Sequence, residues 1–92
     1  MIARLRARPG REAELGAALA ELVPHTVDQP GCLRYDLHVA EGDAAEYCLY
    51  EVWQGHAEHA ANLATPHLTK FASRLDDLLD GGIQATLLRR YP

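Results

Sequence analysis

At 92 residues the chain holds enough material for one domain, spanning 1–92, and no second. Its 48% hydrophobic and 24% charged residues are ordinary for a folded domain and exclude disordered or collagen-like chains. Thirteen acidic against nine basic side chains leave a net charge of −4, so the basic face of a dedicated nucleic-acid binder is missing.

From Met1 to Arg8, the apolar Met1, Ala3, Leu5 and Ala7 alternate with Arg4, Arg6 and Arg8, the period of a strand with one apolar face. Pro9-Gly10 ends it. Leu15, Ala18, Leu19, Leu22 and Val23 then recur at helical spacing, with Glu12 and Glu14 in the first turn, where the macrodipole favours acids. Pro24 cannot donate an intrahelical bond, so this helix is expected to kink or restart there, before Gln29. Pro30-Gly31 is a stop.

Two alternating runs follow. One sets Leu33, Tyr35, Leu37 and Val39 against Arg34, Asp36 and His38. The other, Glu46 to Gln54, sets Tyr47, Leu49, Glu51 and Trp53 against Cys48, Tyr50 and Val52. Glu41-Gly42-Asp43 between them is turn chemistry, so the pair reads as an antiparallel hairpin. The second run is apolar or aromatic on both faces, and in so small a domain its second cover is expected to be another subunit. After Gly55, His56 to Leu63 is a short helical stretch. Thr65-Pro66 then caps and opens a helix whose stripe of Leu68, Phe71, Ala72, Leu75, Leu78 and Leu79 runs to Gly81-Gly82. Ile83 to Tyr91 alternates again as a last strand.

This order predicts an α+β chain of ferredoxin-like βαββαβ type: one antiparallel sheet with helices on one face. The open face is expected to join a homodimer. No apolar run approaches the roughly 18–20 residues that cross a bilayer, so no membrane partner is expected. The run Met1 to Arg6 has no secretory h-region. Cys32 and Cys48 have no C-x-x-C spacing and lie out of register in the hairpin, so they read as reduced thiols of a cytoplasmic protein.

Four local strings carry a resemblance. They are Arg8-Pro9-Gly10, Pro30-Gly31-Cys32-Leu33-Arg34-Tyr35, Glu51-Val52-Trp53 and Leu63-Ala64-Thr65-Pro66-His67-Leu68. In this order they resemble the antibiotic biosynthesis monooxygenase family, quinol monooxygenases included. The resemblance implies a dimeric α+β barrel, a cavity between sheet and helices, and oxygenation of phenolic or hydroquinone substrates without metal or flavin. Trp53 matches the cavity tryptophan of the pigment-pathway members, and Asn62 their asparagine. Their cavity tyrosine is His59 here, a strand asparagine is Leu49, and an arginine of the last helix is Ala72. The haem-degrading branch needs an asparagine, a tryptophan and a histidine where this chain has Ala3, Asn62 and Ala72. A branch that isomerises phosphorylated autoinducer sugars is also similar, but Asn62 replaces its histidine.

The residues themselves limit the chemistry. The seven glycines form no G-x-G-x-x-G and no P-loop, and no cysteine cluster suits iron–sulfur. Without a cofactor to supply single electrons to O₂, the substrate must be its own reductant, as a deprotonated phenol is. Such a reaction needs a base, hydrogen-bonding groups and a dry pocket.

Histidine is the natural base. His67, just inside the last helix, is the first candidate, its alternative being a surface histidine. Trp53 and Asn62 complete the catalytic set, although Trp53 reads equally as core and Asn62 as a helix-surface amide. His59, Tyr35, Phe71 and Leu49 are expected to line the substrate pocket. Glu51 reads as a cross-strand ion-pair partner for an arginine, and His25 and His56 as solvated. His56, His59 and His67 are the one candidate metal cluster. No carboxylate motif accompanies them, and no metal is expected.

The leading expectation is a cofactor-free monooxygenase of a small aromatic substrate and O₂, working as a homodimer. The alternatives are an isomerase of a phosphorylated sugar or ketone, and a non-catalytic small-molecule binder.

Overall fold

In a computed structural model, which describes residues 1–91, the chain runs β1 (Ile2–Arg6), α1 (Glu12–Val27), β2 (Cys32–Ala40), β3 (Asp43–Trp53), α2 (His56–Leu63), α3 (Pro66–Ala72), α4 (Leu75–Leu78) and β4 (Gln84–Thr86). The strands lie in the order β2-β3-β1-β4, antiparallel throughout, which is the ferredoxin-like arrangement. Helices pack on one face of this sheet, as the alternation predicts.

Strand register decides what each face offers. On the helix side, Leu37, Leu49, Ala3 and Ala85 form one row across all four strands, and Val39, Tyr47 and Leu5 form the next. On the other side the corresponding row is Asp36, Tyr50, Ile2 and Thr86. The stripe of α1 closes on the first face, burying Leu15, Ala18, Leu19 and Leu22. Each fully enclosed leucine contributes about 1.5–3 kcal/mol on burial. Gly16 lets α1 approach β3 closely: the Tyr47 hydroxyl donates to the Glu12 carbonyl at 3.0 Å, where a Cβ on residue 16 would collide with it. At the hairpin, Gly42 has φ +78°, which a tight two-residue turn demands and other side chains resist. Cys32 and Cys48 are free thiols.

Three elements differ from the sequence expectation. The first helix does not restart at Pro24: α1 continues as one helix to Val27. Proline deletes one bond near the end of the helix, and the fully buried Thr26 braces that last turn through its own hydroxyl, which donates to Leu22 O at 2.8 Å.

The expected single helix from Pro66 to Leu79 is two, α3 and α4, broken at Ser73-Arg74. Adjacent Leu78 and Leu79 are both buried, and Leu79 leaves the helix to pair with Ala7 beyond the end of β1. Those sheet hydrogen bonds, Leu78 O with Arg8 N and Arg6 O with Asp80 N, outcompete helical continuation.

Finally, the last strand is only Gln84–Thr86. Residues 87–91 pair with nothing in the sheet and leave Leu87, Leu88 and Tyr91 exposed.

Candidate active site

Small residues open the site. The sheet row beneath α2 and α3 carries Ala3 and Ala85 beside Leu49, and Ala72 faces them from α3. The volume that larger side chains would fill is left as a cavity of about 440 Å³ between sheet and helices. Leu22, Phe71 and Leu75 wall it, and Leu63 and Ile83, both largely exposed, stand among the residues that border it.

Among the described residues, the polar side chains that line it are Tyr35, Glu51, His59, Asn62 and Thr69. Asn62 on α2 is only 2% exposed, and its Oδ1 has no hydrogen-bond partner among the described residues. A buried amide oxygen left unpaired costs stability, of order 1–3 kcal/mol, and a ligand donor would relieve that cost. Glu51 on β3 is buried at 5% exposure. Its Oε1 accepts from the Trp53 indole N–H at 3.0 Å and lies 3.9 Å from His59 Nε2. The His59 ring in turn stacks on Trp53, centroids 5.7 Å apart. Tyr35 pairs across the sheet with Glu51. Burial, with the Glu51 charge adding, pushes its phenol well above the ordinary range, so Tyr35 keeps its proton.

Of the residues expected at the site, Asn62, His59, Tyr35, Phe71 and Leu49 converge on this cavity. Trp53 does not line it directly. It borders an adjoining crevice of about 560 Å³ together with His56, and touches the site through Glu51 and His59, which border both spaces.

His67 is elsewhere. It lies in a groove of about 260 Å³ between α1 and α3, behind the Leu22–Phe71 wall, so the histidine expected as the base is outside the cavity. Its Nε2 meets the hydroxyls of Thr65 at 3.2 Å and Thr26 at 3.4 Å. His25, exposed to solvent as expected, stacks on it with centroids 5.5 Å apart. Burial, then the neighbouring His25, lowers the His67 pKa from its ordinary 6.5. Separated by that wall, His67 does not join His56 and His59 in one cluster.

Glu51 is the residue that sequence reasoning misassigned. No arginine pairs with it among the described residues; its partners are an indole and an imidazole. The signal was present: Glu51 is an acid placed in phase with Tyr47, Leu49 and Trp53, on the apolar side of its strand.

The pattern of the antibiotic biosynthesis monooxygenase family matches residues 1–74. The chain is similar to PA3566 from Pseudomonas aeruginosa, with 30% identity, a TM-score of 0.94, and 99% of this chain and 91% of that one covered. It is also similar to Rv0793 from Mycobacterium tuberculosis, at 27% identity over 96% of this chain and 86% of the relative. The structure of Rv0793 superposes with a TM-score of 0.91, covering 99% of this chain and 92% of that one. A crystal structure of an antibiotic biosynthesis monooxygenase gives a TM-score of 0.92 at 26% identity, covering 99% of this chain and 96% of that one. The match along most of the sequence and the superpositions over nearly the whole chain agree: the chain belongs to the antibiotic biosynthesis monooxygenase family.

Proposed function

We propose that the protein is a cofactor-independent monooxygenase that converts a phenol or hydroquinone to a quinone with O₂. The observation that carries the proposal is a largely apolar cavity of about 440 Å³ bordered by the unpartnered Asn62 amide and the Glu51–His59 pair. Its size is that of a small-molecule site.

In this reading His59 takes the phenolic proton, and the Glu51 carboxylate 3.9 Å away meets the charge that forms on the ring. The phenolate passes one electron to O₂, the two radicals join through a new carbon–oxygen bond, and the peroxide loses its ring proton as the O–O bond breaks. One oxygen atom stays as a quinone carbonyl and the other leaves as water. Phenol plus O₂ thus gives quinone plus water with no outside reductant. Asn62 accepts from the hydroxyl or peroxide proton through Oδ1, and its amide N–H donates to the anionic oxygen.

Oxygen uptake with a panel of hydroquinones and naphthols tests this. The expected result is one O₂ per phenol, ¹⁸O from labelled O₂ in the quinone, and rates unchanged after metal chelation. His59→Ala is expected to lower kcat by about 10²–10⁴-fold. No uptake with any member of the panel, or quinone oxygen drawn from water, overturns it.

We also propose that two copies pack through the open sheet face. Ile2, Tyr50 and Val52 form an apolar strip there, flanked by Arg34 and Asp36, and the exposed Leu87 and Leu88 follow β4. Sedimentation is expected to show a dimer. A stable folded monomer at micromolar concentration contradicts it.

A further inference from the structure

We infer that His67 is a positioning residue for the Asn62 amide, acting through Thr65, rather than the base its sequence context suggests. The inference rests on the reading of Asn62 as the group that meets substrate oxygen.

The argument is a count of protons. Thr26 Oγ1 lies 2.8 Å from Leu22 O, and Thr65 Oγ1 lies 2.6 Å from Asn62 O. A carbonyl oxygen carries no proton, so each hydroxyl spends its single proton on its carbonyl. His67 Nε2 sits 3.2 Å from Thr65 Oγ1 and 3.4 Å from Thr26 Oγ1, and neither hydroxyl has a proton left to offer it. Nε2 therefore carries the hydrogen and donates to both, which fixes the neutral tautomer and leaves Nδ1 as the basic nitrogen.

One ring thereby ties the last turn of α1 to the α2–α3 junction. Thr65 stands at the N-cap of α3, yet its hydroxyl makes no capping bond. It turns back onto α2 instead, so Thr65 holds the Asn62 carbonyl twice, through Oγ1 at 2.6 Å and through its backbone N–H at 3.1 Å. Asn62 is held by its backbone from the groove side, while its side-chain oxygen is left unpaired.

The clamp survives titration of the ring. A second proton enters at Nδ1 and leaves Nε2–H in place. What it changes is the charge against His25, stacked from α1, and toward Glu21, Lys70 and Arg74, which line the same groove.

The intact protein and two variants test the inference. Long-range ¹H–¹⁵N spectra are expected to show His67 as the Nε2–H tautomer; the Nδ1–H tautomer would overturn it. His67→Gln places an amide N–H near the position of Nε2, whereas His67→Ala places none. The side-chain amide resonances of Asn62 are expected to stay in place in H67Q and to move in H67A. On a turned-over phenol, H67Q is expected to keep kcat within about threefold of the parent, while H67A loses up to about 10²-fold, the scale of a misplaced reacting group. The acid limb of kcat/KM is expected not to follow the His67 titration seen by NMR. Equal effects of both variants on Asn62, or equal losses of kcat, contradict positioning. If no phenol is turned over, the monooxygenase reading fails, while the tautomer and the Asn62 resonances still decide the clamp.

Discussion

Leu22 and Phe71 each wall two pockets, and the pockets hold polar groups in opposite states. On the sheet side, the Asn62 amide oxygen has no partner and Glu51 is buried between an indole and an imidazole. On the outer side, His67 Nε2 meets two hydroxyls and the ring is stacked on His25. Asn62 and His67 are five residues apart, yet they serve different compartments because the chain turns between α2 and α3. The comparison teaches that hydrogen-bond bookkeeping separates the two roles better than residue type does. A histidine with its N–H already engaged is suited to hold structure. An amide left unpaired in a cavity is suited to meet a ligand.

The comparison is broken most severely by removing the wall. Phe71 is 7% exposed, so Phe71→Ala is expected to cost about 3–5 kcal/mol in chemical denaturation and to join the two spaces. A loss below 1 kcal/mol would mean the ring is not a packed partition.

Next in size is Asn62→Leu, which removes an unpaired polar group at constant volume. Stability is expected to be unchanged or raised, because nothing buried loses a partner. The same variant is expected to lower kcat by about 10²–10³-fold, the scale of a lost oxyanion donor. Destabilisation with activity intact would make Asn62 structural and reverse the comparison.

The smallest effect is on pH dependence. His67 is held below its ordinary 6.5 in the folded protein, first by burial and then by His25. The unfolded chain therefore binds that proton more readily, so stability is lost as pH falls through 6.5 towards the lower folded value. Urea midpoints on the two sides of that pH are expected to differ in the parent, and to differ less in His67→Gln.

Most of the sheet was legible in the sequence because alternation is a local property. The inward row of Leu37, Leu49 and Ala3 follows from residue phase, and the turn at Gly42 from its chemistry. What escaped depends on competition between elements. The helical stripe through Leu79 is genuine, but Arg8 N–H and Arg6 O, at and just beyond the end of β1, offer the Leu78 carbonyl and the Asp80 N–H better partners than another helical turn does. Likewise, spacing alone could bring His67 near the cavity, but not reveal that Thr65 and Thr26 occupy its N–H on the far side of Phe71. Glu51 was visible as an acid on an apolar face. Its partners were not, since His59 and Trp53 meet it only once α2 folds back over β3.

The most direct test of the central claim is the crystal structure of the protein with a non-reactive phenol bound. The ring is expected in the cavity between Leu49 and Phe71, with its hydroxyl oxygen within hydrogen-bond distance of Asn62 and His59. A phenol seated instead in the groove beside His25 and His67, with the inner cavity empty, would contradict the account.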